Sequence, residues 1–328
     1  MKVATIILNW NNYPLTRECV ASFGRTTAPD HEVIVVDNNS PNGATARIQE
    51  EFPAYTYVYN KKNLGIAGGN NVGVRYAMAR GAEYVFLCNN DIVIGETDTV
   101  SRMVSYMDAH PEVGILGPRL VYPDGRAQAS AKPVPTIWNQ FYFDWFFLRR
   151  ILRGLGVRSQ PFDRGRIQDV GFLMGAAFLV RVHMLAQIGL QDERFFVGYE
   201  DIDLCKRAWD ALWHVRYFPQ VTIVHVHGAT SRHLVSIENF DYYFGERLRF
   251  FAKHYALPTV ACFRMLVSAG AMLRAIWGSR HLIVSRTGEH KRYVRSYARL
   301  SWRIWALPWR RKTWEVPWSP PEAVSVKL

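Results

Sequence analysis

Cysteine is scarce in this chain: four in 328 residues, Cys19, Cys88, Cys205 and Cys262, with no CxxC pair and no regular spacing. That excludes a zinc ribbon and a disulfide framework. With Cys88 and Cys205 in segments that read as buried, it points to reduced thiols in a cytosolic compartment. Internal repeats and low-complexity tracts are also missing. The apolar run at the N-terminus stops at Asn9-Trp10-Asn11-Asn12, too early for a signal-peptide core, and reads as a first strand. A clean membrane span is lacking too. The best stretch, 257–284, is interrupted by Arg264, Arg274 and Arg280, and a central Arg is costly in hydrocarbon. The Gly-rich segment 63–73 is neither a Walker A loop nor a GxGxxG turn.

Acidic residues are nearly absent from the C-terminal region. Residues 247–312 hold 15 Lys and Arg against the single acid Glu289, a net of +14, while the first 246 residues carry −1. Six of the 11 Trp fall after residue 246: Trp277, Trp302, Trp305, Trp309, Trp314 and Trp318. Basic residues interleaved with Trp and aliphatics suit a helix lying in an anionic membrane interface. A basic helix that only packs is the plainer alternative. No zinc-finger spacing, RNP-type aromatic pattern or helix-turn-helix accompanies the charge, so nucleic acid is not the expected partner.

Strands and helices alternate through the first half. Residues 2–8, 32–36, 55–59 and 84–88 read as strands, with helices at 14–23, 44–51 and 72–80. This βαβαβ succession implies an α/β fold, a mostly parallel sheet with helices on both faces. Near Pro133 the pattern changes to a dense aromatic stretch, 138–150, followed by Arg153, Arg158, Arg164 and Arg166. It reads equally as a membrane- or acceptor-facing element and as a core helix. The alternating style resumes at Val170, and 216–227 reads as a last strand. The expected organisation is a nucleotide-binding half (1–125), a connecting segment (126–168), an acceptor-binding and catalytic half (169–256) and a basic, Trp-rich helical extension (257–328).

Polar chemistry is concentrated at strand ends. Residues 84–88 are apolar throughout, as in a strand buried on both faces, and then Asn89-Asn90-Asp91 follows. Ligands of parallel sheets collect at the carboxyl ends of the strands. Asp91 there either closes the strand as an Asx turn or offers oxygen to a hard divalent cation. Asp37-Asn38-Asn39-Ser40 ends the second strand, where an acid can accept hydrogen bonds from a nucleoside base or ribose. Glycines in 63–73 let backbone amides approach a ligand, and the helix N-terminus that follows favours anions. Glu200, Asp201 and Asp203 open a further helix. Glu200 and Asp203 share one face while Asp201 points elsewhere. Such acids either cap the helix or supply a general base at a pocket floor. His225 and His227, two apart on a strand, face the same side, and either could join Asp91 on a metal.

Six motifs occur in one order: Asp37-Asn38-Asn39-Ser40, the run from Asn63 to Asn71, Asn89-Asn90-Asp91, Gly175-Ala176-Ala177-Phe178, the run from Tyr199 to Cys205, and His225-Val226-His227-Gly228. Together they resemble the family 2 inverting glycosyltransferases of GT-A fold, particularly the rhamnosyltransferase-like branch. The resemblance covers roughly residues 1–250 and leaves out the tail.

That resemblance implies roles. Asp37, with Asn38, Asn9 and Asn11, would contact the donor's base or ribose; Asn63 and Gly65 would line the nucleotide pocket. Asn89 and Asn90 lead to Asp91, which would hold the Mg2+ or Mn2+ bridging the donor diphosphate, and His225 would be the second metal or diphosphate contact. Gly175, Ala176 and Tyr199 would meet the acceptor. Asp201 would be the general base, with Glu200 beside it. A nucleotide-diphosphate sugar (dTDP-rhamnose first) would be the donor and a lipid-linked or polysaccharide glycan the acceptor, at the cytoplasmic face of the membrane.

The chain departs from the family pattern in places. Asn89 replaces the first acid of the DxD-type motif, leaving fewer carboxylates for the cation. Gly189-Leu190-Gln191-Asp192 stands for the usual Gly-Gly-Phe-Asp, and Thr230 for the last small hydroxyl. Two other classes compete. A sugar nucleotidyltransferase needs a Gly-rich loop bearing Arg and Lys after strand one, where this chain has Asn9-Trp10-Asn11-Asn12. A non-catalytic membrane adaptor explains the tail but not the acids at separate strand ends.

Overall fold

The computed structural model describes residues 1–28, 30–139, 162–226, 240–281 and 288–306. The aromatic stretch from residue 140 onward, Arg153, Arg158, His227, Thr230, and the tail beyond 306 with Trp309, Trp314 and Trp318 lie outside the described residues. The chain divides into two compact units, residues 1–134 with 161–229, and residues 135–160 with 230–328.

The first unit starts with the alternation read from the sequence. β1 (Val3–Asn9), α1 (Tyr13–Phe23), β2 (His31–Asp37), α2 (Ala44–Glu51), β3 (Thr56–Tyr59), α3 (Gly65–Ala79) and β4 (Tyr84–Asn89) follow one another. α1 begins where the Asn12 side chain accepts from the Leu15 amide, with Pro14 in the first turn, where its missing N–H costs nothing. After β4 come β5 (Ile92–Ile94), α4 (Thr99–Ala109), β6 (Val113–Val121), β7 (Ala131–Lys132), β8 (Gln168–Asp169), β9 (Phe172–Leu173), β10 (Ala177–Arg181), α5 (Val182–Ile188), α6 (Glu200–Asp210) and β11 (His214–His225).

The main sheet runs β3-β2-β1-β4-β10-β6-β11-β5, with β8 also on β11, while β7 and β9 pair separately. β1, β2, β3 and β4 are mutually parallel, as are β6 and β11. β10 runs antiparallel between β4 and β6, and β5 antiparallel to β11, so the sheet is mixed. The period-2 alternation of β4 sends Tyr84, Phe86 and Cys88 into a core under α1, α2 and α4. Val85 and Leu87 go into a second core under α3, α5 and α6. Cys19, Cys88 and Cys205 are buried free thiols, and burial pushes the Cys88 and Cys205 thiols up, so both remain protonated.

One element corrects the sequence reading. The glycine-rich segment was expected as a ligand-facing loop leading into a helix at Val72, yet the helix already begins at Gly65. Gly69 and Gly73 lie on the side that meets the sheet. A Cβ on Gly73 would stand 2.5 Å from Ile6 and 3.0 Å from Val36, and one on Gly69 2.5 Å from Leu8. Here glycine permits close packing of α3 on β1 and β2.

The second unit holds three described helices, α7 (Phe240–His254), α8 (Leu257–His281) and α9 (Gly288–Ala306). Phe251 of α7 stacks on Phe263 of α8 with centroids 4.4 Å apart. Arg264 of α8 is fully buried and donates to the Ile304 and Trp305 carbonyls at the end of α9, at 2.7 and 3.3 Å. A cation at a helix C-terminus also suits the dipole. By length and composition, Leu257–Ser279 (mean hydropathy 1.4) could cross a membrane, although the Arg interruptions had argued against a span.

His31 opens β2 between Thr5 and Thr26, with its Nε2 2.8 Å from the Thr5 hydroxyl. Burial lowers its pKa to about 4. An unfolded histidine titrates near 6.5, so the unfolded chain takes up this proton first as pH falls. Stability from this group is therefore complete above about pH 6.5 and lost between there and about pH 4, by about 2–3 kcal/mol. His31→Phe should flatten that part of the acid limb in urea unfolding; an unchanged limb would assign it to other groups.

Candidate active site

Three strand ends stand level at the carboxyl edge: Asn9 pairs with Asp37, and Leu8 with Asn89. The buried Asn9 carboxamide joins them. Its oxygen accepts from the Thr16 hydroxyl at 2.8 Å and the Asn90 amide at 3.2 Å, and its nitrogen donates to Thr45 Oγ1 at 2.8 Å. Thr45 donates on to Asp37 Oδ1, while the Ser40 amide donates to Asp37 Oδ2 at 3.0 Å. Asp37 is thus a buried carboxylate with one protein donor on each oxygen. Neither threonine stood out in the sequence, because nothing local distinguishes a network threonine from any other.

Asn38 turns the other way. Its amide donates to Asn63 Oδ1 and the Gly65 carbonyl at 2.8 and 3.0 Å, and its oxygen accepts from Asn60 and the Leu64 amide. Asn9, Asn38 and Asn90 hold the loops in place through internal bonds. Asn11 sits at positive φ (56°), which asparagine tolerates, and its Oδ1 is buried with no hydrogen-bond partner among the described residues. Asn89 is part-buried and its backbone N–H bonds the Ala176 carbonyl at 2.9 Å.

Asp91 and His225 meet because β5 pairs antiparallel with β11. Ile92 lies opposite His225, and the Val226 amide bonds the Asp91 carbonyl at 2.9 Å. Asp91 Oδ1, buried and without a hydrogen-bond partner among the described residues, lies 3.3 Å from His225 Nε2. On the far side of the ring, His225 Nδ1 is 2.8 Å from Gln128 Oε1. A buried carboxylate oxygen lacking a donor, beside an imidazole oriented from behind, fits a divalent cation. Among the described residues no group of three or more His, Cys, Asp or Glu assembles, so these two side chains leave further coordination positions open.

The acids at the start of α6 divide by environment. Gly198 and Tyr199 precede them at φ 88° and 73°, turning the chain sharply into the helix. Asp203 is fully buried and bonds Arg207 Nε at 2.8 Å; that guanidinium also donates to the Ile188, Gly189 and Leu190 carbonyls. The pair clamps the turn before α6. Asn71 holds the same turn from α3, through bonds with both backbone groups of Gln191. Glu200 is buried. The part-buried Asp201 carboxylate accepts from the Gly175 amide at 2.8 Å and the Ile202 amide at 2.7 Å. Burial raises its pKa, against the opposing pull of those amides and of the Lys132 charge on β7. A Cβ on Gly175 would stand 3.1 Å from the Asp201 Cβ, so glycine allows this approach. Because the Ala176 carbonyl binds Asn89, Asp201 stands one residue from the β4 end. The Ile66 amide bonds the Phe196 carbonyl at 2.7 Å, bringing the start of α3 to the same place.

Residues 5–180 match the sequence model of the family described as Glycosyl transferase family 2. The chain is similar to the N-acetylglucosaminyl-diphospho-decaprenol L-rhamnosyltransferase of Mycobacterium tuberculosis, 25% identical over 240 residues, 67% of this chain and 74% of that protein. It is similar to the low-salt glycan biosynthesis hexosyltransferase Agl10 of Haloferax volcanii, 24% identical over 281 residues, 80% and 85% of the two chains. Among solved structures it resembles the mannosyltransferase PcManGT of Pyrobaculum calidifontis in complex with GDP-Man and Mn2+. That match has a TM-score of 0.52 at 17% identity and covers 91% of this chain and 84% of that one. The shared fold is of GT-A type.

Removing one member of a buried ion pair strands its partner. Asp203→Ala should therefore cost about 3 kcal/mol in urea unfolding, whereas Asp201→Asn, which keeps an acceptor for Gly175, should stay within about 1 kcal/mol. Equal losses for the two variants would make Asp201 a structural residue.

Proposed function

We propose the following reaction for this chain, which belongs to glycosyl transferase family 2: inverting, metal-dependent transfer of a sugar from a nucleotide-diphosphate donor to a lipid-linked or polysaccharide acceptor. Rhamnose is the sugar favoured by the relative named as a rhamnosyltransferase, and dTDP-rhamnose is the donor we propose for it. The observation that carries the reading is the carboxyl edge itself. Asp37, Asp91 with His225, and Asp201 come from distant segments, and backbone bonds tie the last two to the β4 end.

Asp37 and Asn11 receive the nucleoside, one as a carboxylate held by Thr45 and the Ser40 amide, the other as an acceptor unpartnered among the described residues. Asp91 and His225 would hold Mg2+ or Mn2+, whose charge would stabilise the departing nucleoside diphosphate. Asp201 takes the proton from the acceptor hydroxyl. Its desolvation raises its basicity, and the two amides keep it oriented. Single displacement at the anomeric carbon inverts the configuration. Asn89, Asn63 and Gly65 line the donor side, and Gly175, Ala176, Tyr199 and Glu200 the acceptor side.

The second unit supports work on a membrane-linked acceptor at the cytoplasmic face. Along α8 the exposed positions from Met265 to Trp277 are all apolar: Met265, Ala269, Met272, Leu273, Ile276 and Trp277. Their spacing forms one stripe, while Arg264 is turned inward. α9 exposes Arg295 and Arg299, then Trp302 and Trp305. An uncharged stripe with basic and Trp neighbours suits insertion into an anionic leaflet.

Two experiments test the reading. With dTDP-rhamnose among a panel of nucleotide sugars and Mn2+ or Mg2+, the chain should release nucleoside diphosphate. EDTA should abolish release, and Asp201→Asn should lower kcat by about 100-fold or more. Pyrophosphate release would instead indicate a nucleotidyltransferase, and full activity in Asp201→Asn would remove the proposed base. In flotation with anionic vesicles, wild type should rise with the lipid and the double variant Met272→Glu, Ile276→Glu should remain behind. Equal flotation of the two would rule out the α8 stripe as the lipid contact.

A further inference from the structure

Gln128 lies outside every motif, on the segment that returns from β6 through the turn at Tyr122. Its backbone amide bonds the Leu120 carbonyl at 2.9 Å, and the whole residue is buried. Its side chain meets His225 twice. The amide nitrogen donates to the His225 carbonyl at 2.7 Å, and the amide oxygen lies 2.8 Å from His225 Nδ1.

The chemistry of these four atoms leaves one assignment. A backbone carbonyl only accepts, so the end of the Gln128 amide facing it must be the NH2 group. The end facing the ring is then the amide oxygen, which also only accepts, so Nδ1 carries the hydrogen. In the neutral imidazole the lone pair therefore falls on Nε2, the atom 3.3 Å from Asp91 Oδ1. Asp91 Oδ1 is itself buried without a donor among the described residues. Nitrogen lone pair and carboxylate oxygen face each other across a gap that a cation would bridge.

We propose that Gln128 is the positioning residue of this centre: it fixes the His225 tautomer and ring plane so that Nε2, with Asp91, is presented to the divalent cation. The inference rests on the metal-dependent reading above. A glutamine does this without adding charge beside Asp91, whereas a carboxylate in its place would make the imidazole more basic. It also explains how a centre with Asn89 where an acid is usual keeps a second ligand ready, since the cost of orienting His225 is met during folding.

The test uses the full chain, dTDP and Mn2+, with bound metal followed by the loss of the free Mn2+ EPR signal. Gln128→Met keeps the volume and removes both hydrogen bonds. Mn2+ affinity should fall about 10- to 100-fold, with dTDP binding in the absence of metal nearly unchanged, while the two stranded groups of His225 lower the unfolding midpoint of a variant that still folds. Gln128→Glu, which keeps an acceptor for Nδ1–H, should recover most of the affinity. In metal-free wild type, 15N imidazole NMR, assigned with His225→Gln, should show the Nδ1–H tautomer, and Gln128→Met should lose that preference. Mn2+ affinity in folded Gln128→Met within twofold of wild type, or an Nε2–H tautomer in wild type, overturns the positioning role. Should Gln128→Met not fold, the wild-type tautomer decides. Failure of wild type to bind Mn2+ with dTDP overturns the metal-dependent reading and the ligand role of His225 with it.

Discussion

The carboxamide of Asn9 is buried and hydrogen-bonded at both its oxygen and its nitrogen. It accepts from Thr16 and Asn90 and donates to Thr45, which in turn holds Asp37. These bonds join β1, α1, α2, β2 and the end of β4 at the level where the sheet stops. An amide can serve as such a junction because it donates and accepts at once, and a buried network is stable only when its members are satisfied. With that junction formed, Asp37 and the Asn89-Asn90-Asp91 corner have little freedom. The carboxyl edge is tied together by internal hydrogen bonds, an arrangement that would suit chemistry dependent on orientation.

The acidic run opening α6 shows how environment separates like residues. Asp203 faces inward and is neutralised by Arg207, whose remaining donors hold three carbonyls of the preceding turn. Asp201, two positions earlier, has only backbone amides as close donors among the described residues. A carboxylate paired with arginine is a poor base, whereas one raised by desolvation and held by two amides is a better one. Gly198 and Tyr199, both at positive φ, set the turn that makes the difference. The division of labour is a matter of which side of the helix each acid occupies.

Along α8 the usual placement of charge is inverted, while α9 keeps it. α8 buries its Arg264 and exposes Met, Leu, Ile and Trp, while α9 exposes arginines. A buried guanidinium is tolerated because the last carbonyls of α9 accept from it. The basic, Trp-rich region read from composition thus separates into an apolar helix and a basic one.

Much of this was legible in the residues themselves. The both-faces-buried run of β4 and the βαβ alternation announced the parallel sheet, and the abrupt polar corners at Asp37 and Asn89-Asn90-Asp91 announced where its strands end. The start of α3 was misjudged because glycines that pack a helix against a sheet look the same in sequence as glycines of a loop. Gln128, Thr16 and Thr45 carried no signal, since their partners lie elsewhere in the chain, in the case of Gln128 and His225 97 positions apart. Period, burial pattern and residue type are local properties, and the sequence by itself determined the class of fold, the chemical family of the site and the charge of its tail. Only the tertiary structure decided that Ile92 pairs with His225 and so brings Asp91 to the ring, that Gln128 stands behind that ring, and that Asp203 is clamped while Asp201 is not. Those outcomes depend on register and packing between distant segments, where a shift of one residue turns each side chain to the opposite face.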